Sequence, residues 1–289
     1  MLTQGDCAAI RSKLLLQQDD IIALERKYMN FLVGVTLQAA NNLYNDFGRA
    51  NDLLPFWIGY APRQRGRAPT GKSIPWSEVG EKSLSSNLIR AISQADPTIT
   101  FPGLPFGGDV RFATNDALIH FDVKMTGPND NADEVVAPPQ QISGDGALWE
   151  ENGMLSTPFS VVGKRRAINF QPKLPPFYVL DGTERLCLTY FLKVVYIVED
   201  FGVQPLHYLE VACVPNGLLM FDGPTYARTP GLLIPGKDTQ NTPEHVKRTR
   251  VRLDPLASIS EGWRCQKIVT RNKKWEVVPR VPHEQLRLL

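Results

Sequence analysis

Apolar side chains recur at helical spacing over residues 8–47, where Ile21, Ile22, Leu24, Tyr28, Phe31, Leu32 and Val35 share one face. That spacing predicts a long scaffold or dimer helix with Asp19 or Asp20 as its N-cap and Gly48 as its stop. The Pro-, Gly- and Arg-rich stretch from Pro55 to Pro75 reads as a loop, and its Arg63, Arg65, Arg67 and Lys72 suit a phosphate backbone. Ser77 then caps a second predicted helix, with Leu84, Leu88, Ala91 and Ile92 in one stripe and Glu81 on the same helix. After the turn FPGLPFGGD the sequence takes on strand character, at residues 109–113, 117–125, 177–180, 186–198, 207–214 and 246–253. Helices followed by strands, with no repeat and no dividing linker, predict one α/β domain over residues 1–289, a mixed central β-sheet flanked by helices.

Composition changes this picture little. A chain with 43% hydrophobic and 21% charged residues is ordinary globular protein. Cys7, Cys187, Cys213 and Cys265 form neither a C-x-x-C pair nor a zinc spacing with the four histidines, which predicts reduced, buried thiols. The amino terminus MLTQGDCAAIRSK lacks the basic-then-apolar order of a secretory leader, so a cytoplasmic location is expected. The run from 186 to 198 is broken by Lys193 and falls short of the roughly 18 to 20 residues a membrane span needs. Charge is uneven: 12 of the 32 Lys and Arg, but only 6 of the 30 Asp and Glu, lie in residues 237–289. Such asymmetry fits a surface facing a polyanion as well as it fits a solvated tail.

The candidate chemistry lies in GGDVRFATNDALIHFDVKMTG. A two-residue hairpin at Asn115-Asp116 puts Phe112 opposite Ile119 and Asp109 opposite Asp122. Directly opposed residues have Cβ atoms about 4.5 to 5.5 Å apart, close enough for two carboxylates to share one divalent ion. Lys124 lies two residues beyond Asp122, on the same strand face, whereas Asp116 belongs to the turn. Two opposed carboxylates repel, and a hard cation such as magnesium relieves that repulsion. Phosphodiester hydrolysis is a natural use: the metal polarises the phosphate and acidifies water, while the lysine orients that water or stabilises developing charge. Glu81 is placed to bind a second metal or a metal-bound water. A surface hairpin with one Lys124 salt bridge is the plain alternative.

A second pattern, VKRTRVRL at 246–253, alternates Arg248, Arg250 and Arg252 on one face with Thr249, Val251 and Leu253 on the other. Arginine pairs bidentately with guanine O6 and N7 in the major groove, which a strand can enter. The preceding turn adds Lys237, Asp238 and Thr239 as further donors and acceptors. An edge strand protected by charge would look the same.

The two patterns, in this order, resemble the BglI restriction endonuclease family within the PD-(D/E)xK superfamily, and more distantly the SfiI enzymes. The likeness covers residues 50–255 and rests on LLPFWIGYAPRQRGRAPTGKSIPWSEVGEK, GLPFGGDVRF, FDVKMTGPNDN, PPQQISGDG, PPFYVLDGT, VACVPNGL, PGKD and KRTRVRL. It implies that Asp109 and Asp122 are metal ligands, aided by the Val123 carbonyl, with Lys124 catalytic and Glu81 an auxiliary carboxylate. It implies that Lys237, Arg248 and Arg250 contact bases. The family's enzymes are homodimers that use magnesium, cut interrupted palindromes of the GCCNNNNNGGC kind and leave 3′ overhangs. Gly108 stands where the superfamily motif has proline, Thr239 where one member of the family has an acidic base-reading residue, and Arg252 where that member has an aspartate.

The reading is therefore a bacterial, magnesium-dependent type II restriction endonuclease acting on double-stranded DNA as a homodimer, with manganese as a substitute metal and no organic cofactor or membrane. In this scheme residues 1–50 are a helical scaffold, 75–125 the catalytic helix and hairpin, and 230–255 the DNA-reading turn and strand. A repair or recombination nuclease and a non-catalytic DNA-binding protein are the rival readings.

Overall fold

The computed structural model describes residues 2–59, 77–104, 107–151, 153–201, 203–222, 231–239 and 241–281, and the side chains of 49–59 and 77–83 fall outside that description. Helix α1 (Gln4–Leu15) starts at Thr3, whose hydroxyl accepts from the Asp6 N–H while the Asp6 carboxylate accepts from the Thr3 N–H, a capping box. Helix α2 runs Gln18–Gly59. Its buried positions Ile21, Tyr28, Met29, Leu32, Val35, Ala39, Leu43 and Phe47 keep the predicted spacing.

Two expectations for α2 need correction. Asp19 and Asp20 lie inside its first turn, where carboxylates favour the helix dipole, and do not cap it. Gly48 does not stop it: a lone glycine costs a helix only about 1 kcal/mol, which the packing of its buried face outweighs. The helix also takes in the first residues of the predicted 55–75 loop, and Arg63, Arg65, Arg67 and Lys72 lie outside the described residues. Helix α3 (Ser77–Ala95) buries Leu84, Leu88 and Ile92 as expected.

The strands follow in chain order as β1 (Val110–Ala113), β2 (Ala117–Thr126), β3 (Glu134–Ala137), β4 (Leu148–Glu150), β5 (Gly153–Leu155), β6 (Phe159–Val162), β7 (Ala167–Phe170), β8 (Phe177–Leu180), β9 (Thr183–Tyr196), β10 (Leu206–Val214), β11 (Leu233–Pro235), β12 (Thr249–Arg252), β13 (Cys265–Arg271) and β14 (Lys274–Pro279). Short helices α4 (Gly217–Asp222) and α5 (Leu253–Ser258) complete the elements used here. The main sheet has the order β1-β2-β9-β10-β13-β14, with β8 also paired to β9. Strand β2 runs parallel to β9 and the other pairs are antiparallel, so the sheet is mixed.

Helices α2 and α3 cover one face of this sheet, burying Ile119, Phe121, Val123, Leu188 and Val211 beneath them. The other face carries a second core, in which Phe191, Ala212 and Cys265 meet Val135, Phe170, Val251 and Leu253. That core belongs to the sheet β11-β12-β3 and the β6–β7 hairpin. Strand β12 is thus a middle strand, not an edge, and it is shorter than 246–253 because a 3-10 turn precedes it and α5 follows. All four cysteines are buried and unpaired, as predicted. Among the described residues no helix is long and apolar enough to cross a membrane.

Buried charges hold the two layers together. Lys193, fully buried on β9, donates to the backbone carbonyls of Asn131, Ala132 and Glu134, at 3.1 Å for the first and 2.8 Å for the last. Arg280 joins Glu210 at 2.9 Å, Asp254 at 2.7 Å and Asp133. A buried charge survives only when its donors are satisfied, and here the satisfaction fixes the path from the end of β2 into β3.

Candidate active site and nucleic-acid interface

Register decides what β2 presents. The pairs Val110–Phe121, Arg111–His120, Phe112–Ile119 and Ala113–Leu118 match the predicted hairpin, and Asp109 and Asp122 are the residues just beyond the last of them. Asn115 and Asp116 form the turn: Thr114 N–H bonds the Ala117 carbonyl at 2.9 Å, and Asp116 is held by Lys27 at 2.6 Å and by Tyr28. Alternation along β2 then sends Ile119, Phe121 and Val123 into the helix-side core and leaves His120, Asp122 and Lys124 on the other face.

The glycine pair before Asp109 sets how closely β1 approaches. Gly107 has φ +119°, and a Cβ on Gly108 would lie 2.9 Å from the backbone of Phe121. No side chain fits there, which gives Gly108 a physical reason to be glycine.

Asp109 is exposed, and its Oδ2 accepts the Val123 N–H at 2.8 Å. Asp122 is buried, with 2% exposure; its Oδ2 faces Lys124 Nζ at 2.5 Å and its Oδ1 takes a bond from Gln141 Nε2. Burial pushes the Asp122 carboxyl up to about 6; Lys124 pulls it down and the neighbouring Asp109 charge pushes it further up. Lys124 also sits over the Phe191 ring, 5.7 Å from its centroid. Asp122 and Lys124 are therefore in contact, and Asp109 is near enough for its charge to act on Asp122. Glu81 falls on α3, but its side chain lies outside the described residues.

Gln141 was not legible as a partner in the sequence. It comes from the 3-10 turn Pro139–Gln141, is 9% exposed, and leaves its Oε1 buried without a partner. Its amide orientation follows from chemistry, because an ionised Asp122 can only accept. The donors gathered here are all oxygens: two carboxylates and the free amide oxygen. Magnesium is commonly held by one or two carboxylates plus substrate phosphate, so this set fits a hard divalent cation. Among the described residues no third acid, histidine or cysteine joins the cluster.

The second pattern folds as a ribbon, β11 pairing β12 with Pro235 opposite Thr249. Thr249, Val251 and Leu253 are buried and Arg248 and Arg252 exposed, so the alternation holds. Arg248 is clamped by Asp238, whose Oδ2 takes the Arg248 N–H at 2.7 Å and whose Oδ1 takes Nε at 2.7 Å. Burial raises the Asp238 carboxyl, but the Arg248 backbone and side-chain bonds outweigh it and leave the group below its usual range. Asp238 thus orients Arg248 and spends its acceptors doing so. Arg250 is bonded to Glu134 and to the Pro235 carbonyl. Lys237 and Thr239 are exposed at the tip of the turn.

A cavity of about 720 Å³ opens beside this ribbon, lined by Lys237, Arg250 and Arg252 and, unforeseen, by Lys164, Arg165 and Arg166. The run GKRR was a usable signal: three successive cations after a glycine suggest a charged hairpin tip.

Comparison with known proteins points to one family. A family model described as restriction endonuclease BglI matches residues 6–268. The type II restriction enzyme BglI of Bacillus subtilis is 36% identical over 255 residues, spanning 80% of this chain and 85% of that protein. The crystal structure of the restriction endonuclease BglI bound to its DNA recognition sequence superposes with a TM-score of 0.81 at 33% identity, covering 91% of this chain and 95% of that one. Tetrameric restriction endonuclease SfiI bound to cognate DNA gives a TM-score of 0.61 at 13% identity, over 91% and 95% of the two chains, a likeness of fold alone.

Proposed function

The chain belongs to the BglI restriction endonuclease family, and from that premise we propose that it hydrolyses both strands of an interrupted palindrome of the GCCNNNNNGGC kind with magnesium, as a two-fold dimer. The observation that supports the chemistry is Asp122 with Lys124 at 2.5 Å and with Asp109 near enough that its charge acts on the Asp122 carboxyl. Asp109 and Asp122 would hold the metal, with the Val123 carbonyl and Glu81 as the further oxygens. Bound magnesium supplies Lewis-acid charge against the scissile phosphate.

The protein's own groups do the rest. Gln141 and Lys124 fix Asp122 from two sides, and the Val123 N–H fixes Asp109, so the carboxylates are set before DNA arrives. Lys124 Nζ orients the attacking water and offsets charge that builds on the phosphoryl oxygens. Lys237, Arg248 and Arg250 read bases in the major groove, and the Asp238 clamp restricts Arg248 to one reach. With Thr239 and Arg252 where one member of the family carries acids, two guanines per half-site are read, and the third pair differs from a cytosine-N4 contact. Two-fold symmetry of protein and site then explains one cut per subunit.

Purified full-length protein, phage DNA and magnesium should give a discrete fragment ladder, and sequencing the fragment ends yields site, spacer and stagger together. A 3′ stagger within a GCC-N5-GGC-like sequence is expected. Nicking confined to branched DNA would point to a repair nuclease, and no cutting in any divalent metal to a binding protein.

A further inference from the structure

The hairpin between β6 and β7 lies apart from the acidic site around Asp122. Val162 pairs with Ala167, and the Gly163 N–H bonds the Arg166 carbonyl at 2.8 Å, so Gly163, Lys164, Arg165 and Arg166 form a tight reversal. Three consecutive cations at such a tip repel one another, and the fold finds partners for one. Arg166 donates to the carbonyls of Gly236 and Asp238, at 2.6 Å for the latter, and so bridges both sides of the turn that presents Lys237. On the other flank a Cβ on Gly163 would lie 2.8 Å from the Pro235 ring. The tip is therefore packed against the reading ribbon without room for an intervening side chain. Asp238, held through its backbone by Arg166, holds Arg248 through its carboxylate.

Lys164 and Arg165 project into solvent at the same cavity and form no ion pair or hydrogen bond among the described residues. The two acids lining that cavity, Glu134 and Asp238, are already engaged by Arg250 and Arg248. Its free charge is positive, and a polyanion is the partner that charge selects.

We propose that the β6–β7 tip is a second DNA-contact element mounted on the reading turn: Lys164 and Arg165 grip phosphates beside the recognised bases, and Arg166 is a positioning residue that fixes Lys237 and Arg248 relative to that grip. The proposal rests on the DNA-cleaving reading of the chain. Phosphate contacts supply affinity and orientation without sequence information, whereas the residue that ties them to the base readers governs discrimination.

Fluorescence anisotropy in EDTA, over a series of salt concentrations, separates the two roles. The probes are a 30-mer duplex carrying the site found from fragment ends and a random 30-mer. Each phosphate contact contributes about 0.9 to the slope of log affinity against log salt. The double variant Lys164→Ala/Arg165→Ala should flatten that slope by about 2 and weaken both duplexes alike. Arg166→Ala should keep the slope but reduce the ratio of site to random affinity about tenfold, with Arg166→Lys restoring part of it. An unchanged slope in the double variant would make the tip a solvated surface and overturn the grip. Equal loss on both duplexes for Arg166→Ala, with thermal unfolding unchanged, would overturn the positioning role. If the wild-type chain binds neither duplex, the DNA reading itself falls, and this inference with it.

Discussion

Replacing Asp122 by Asn should make the metal-free protein more stable while abolishing cleavage. The Asp122 carboxyl is 2% exposed, and its pKa lies at about 6, against 3.8 for an unperturbed aspartate such as the unfolded chain presents. A group that binds its proton more tightly when folded loses stability as pH rises between those two values, and the whole cost is present above the folded pKa. At 1.36 kcal/mol per unit, that cost is about 3 kcal/mol at pH 8 and about half as much at pH 5. The pull of Lys124 is already contained in the shifted value, and Asn can still accept from Gln141 through Oδ1. Urea denaturation in EDTA at both pH values measures the difference. The variant should exceed wild type by up to about 3 kcal/mol at pH 8, with the gap narrowing at pH 5. Added magnesium should then raise the stability of wild type and leave Asp122→Asn unmoved, because binding to the folded state alone shifts the equilibrium. Equal stability at pH 8, or a gap that ignores pH, would show that Asp122 carries no buried-charge cost and would remove the physical reason for a cation there.

Gln141→Ala takes away the donor at Asp122 Oδ1, and loss of such a supporting contact typically costs 10- to 100-fold in metal affinity. Calorimetric titration with magnesium should show that loss, and an unchanged affinity would demote Gln141 to packing. Lys193→Met would leave the carbonyls of Asn131, Ala132 and Glu134 without their donor, at roughly 1 kcal/mol or more each. A fall of about 3 kcal/mol in unfolding free energy is expected, read by urea titration, and wild-type stability would contradict the bridging role.

How far the sequence reached depended on how local the determining interaction is. The β1–β2 register was readable because a two-residue turn leaves a hairpin one set of pairs, all of it inside the twelve residues 110–121. The arginine alternation of β12 was equally local. Its place in the middle of a sheet was not, since β3 and β11 reach it from distant parts of the chain. Gln141 meets Asp122 only after the chain has passed through β3 and a 3-10 turn, and no short-range pattern encodes that meeting. Lys193 looked like a break in an apolar run; its ammonium is instead satisfied by two carbonyls of the loop after β2 and one at the start of β3. The β13–β14 hairpin was missed because its turn, Asn272-Lys273, takes positive φ at both residues without a glycine to announce it.

Lys124→Ala tests the account's centre most directly. Its ammonium stands 2.5 Å from Asp122 and is part-exposed, so its removal should leave fold and DNA binding in place. Cleavage of a duplex carrying the site, followed under single-turnover conditions with saturating magnesium, should slow by about 10²-fold or more, the usual scale for losing one preorganised charge at a developing oxyanion. Cutting by this variant at the wild-type rate would take the lysine out of the chemistry and, with it, the claim that this sheet face is where DNA is cut.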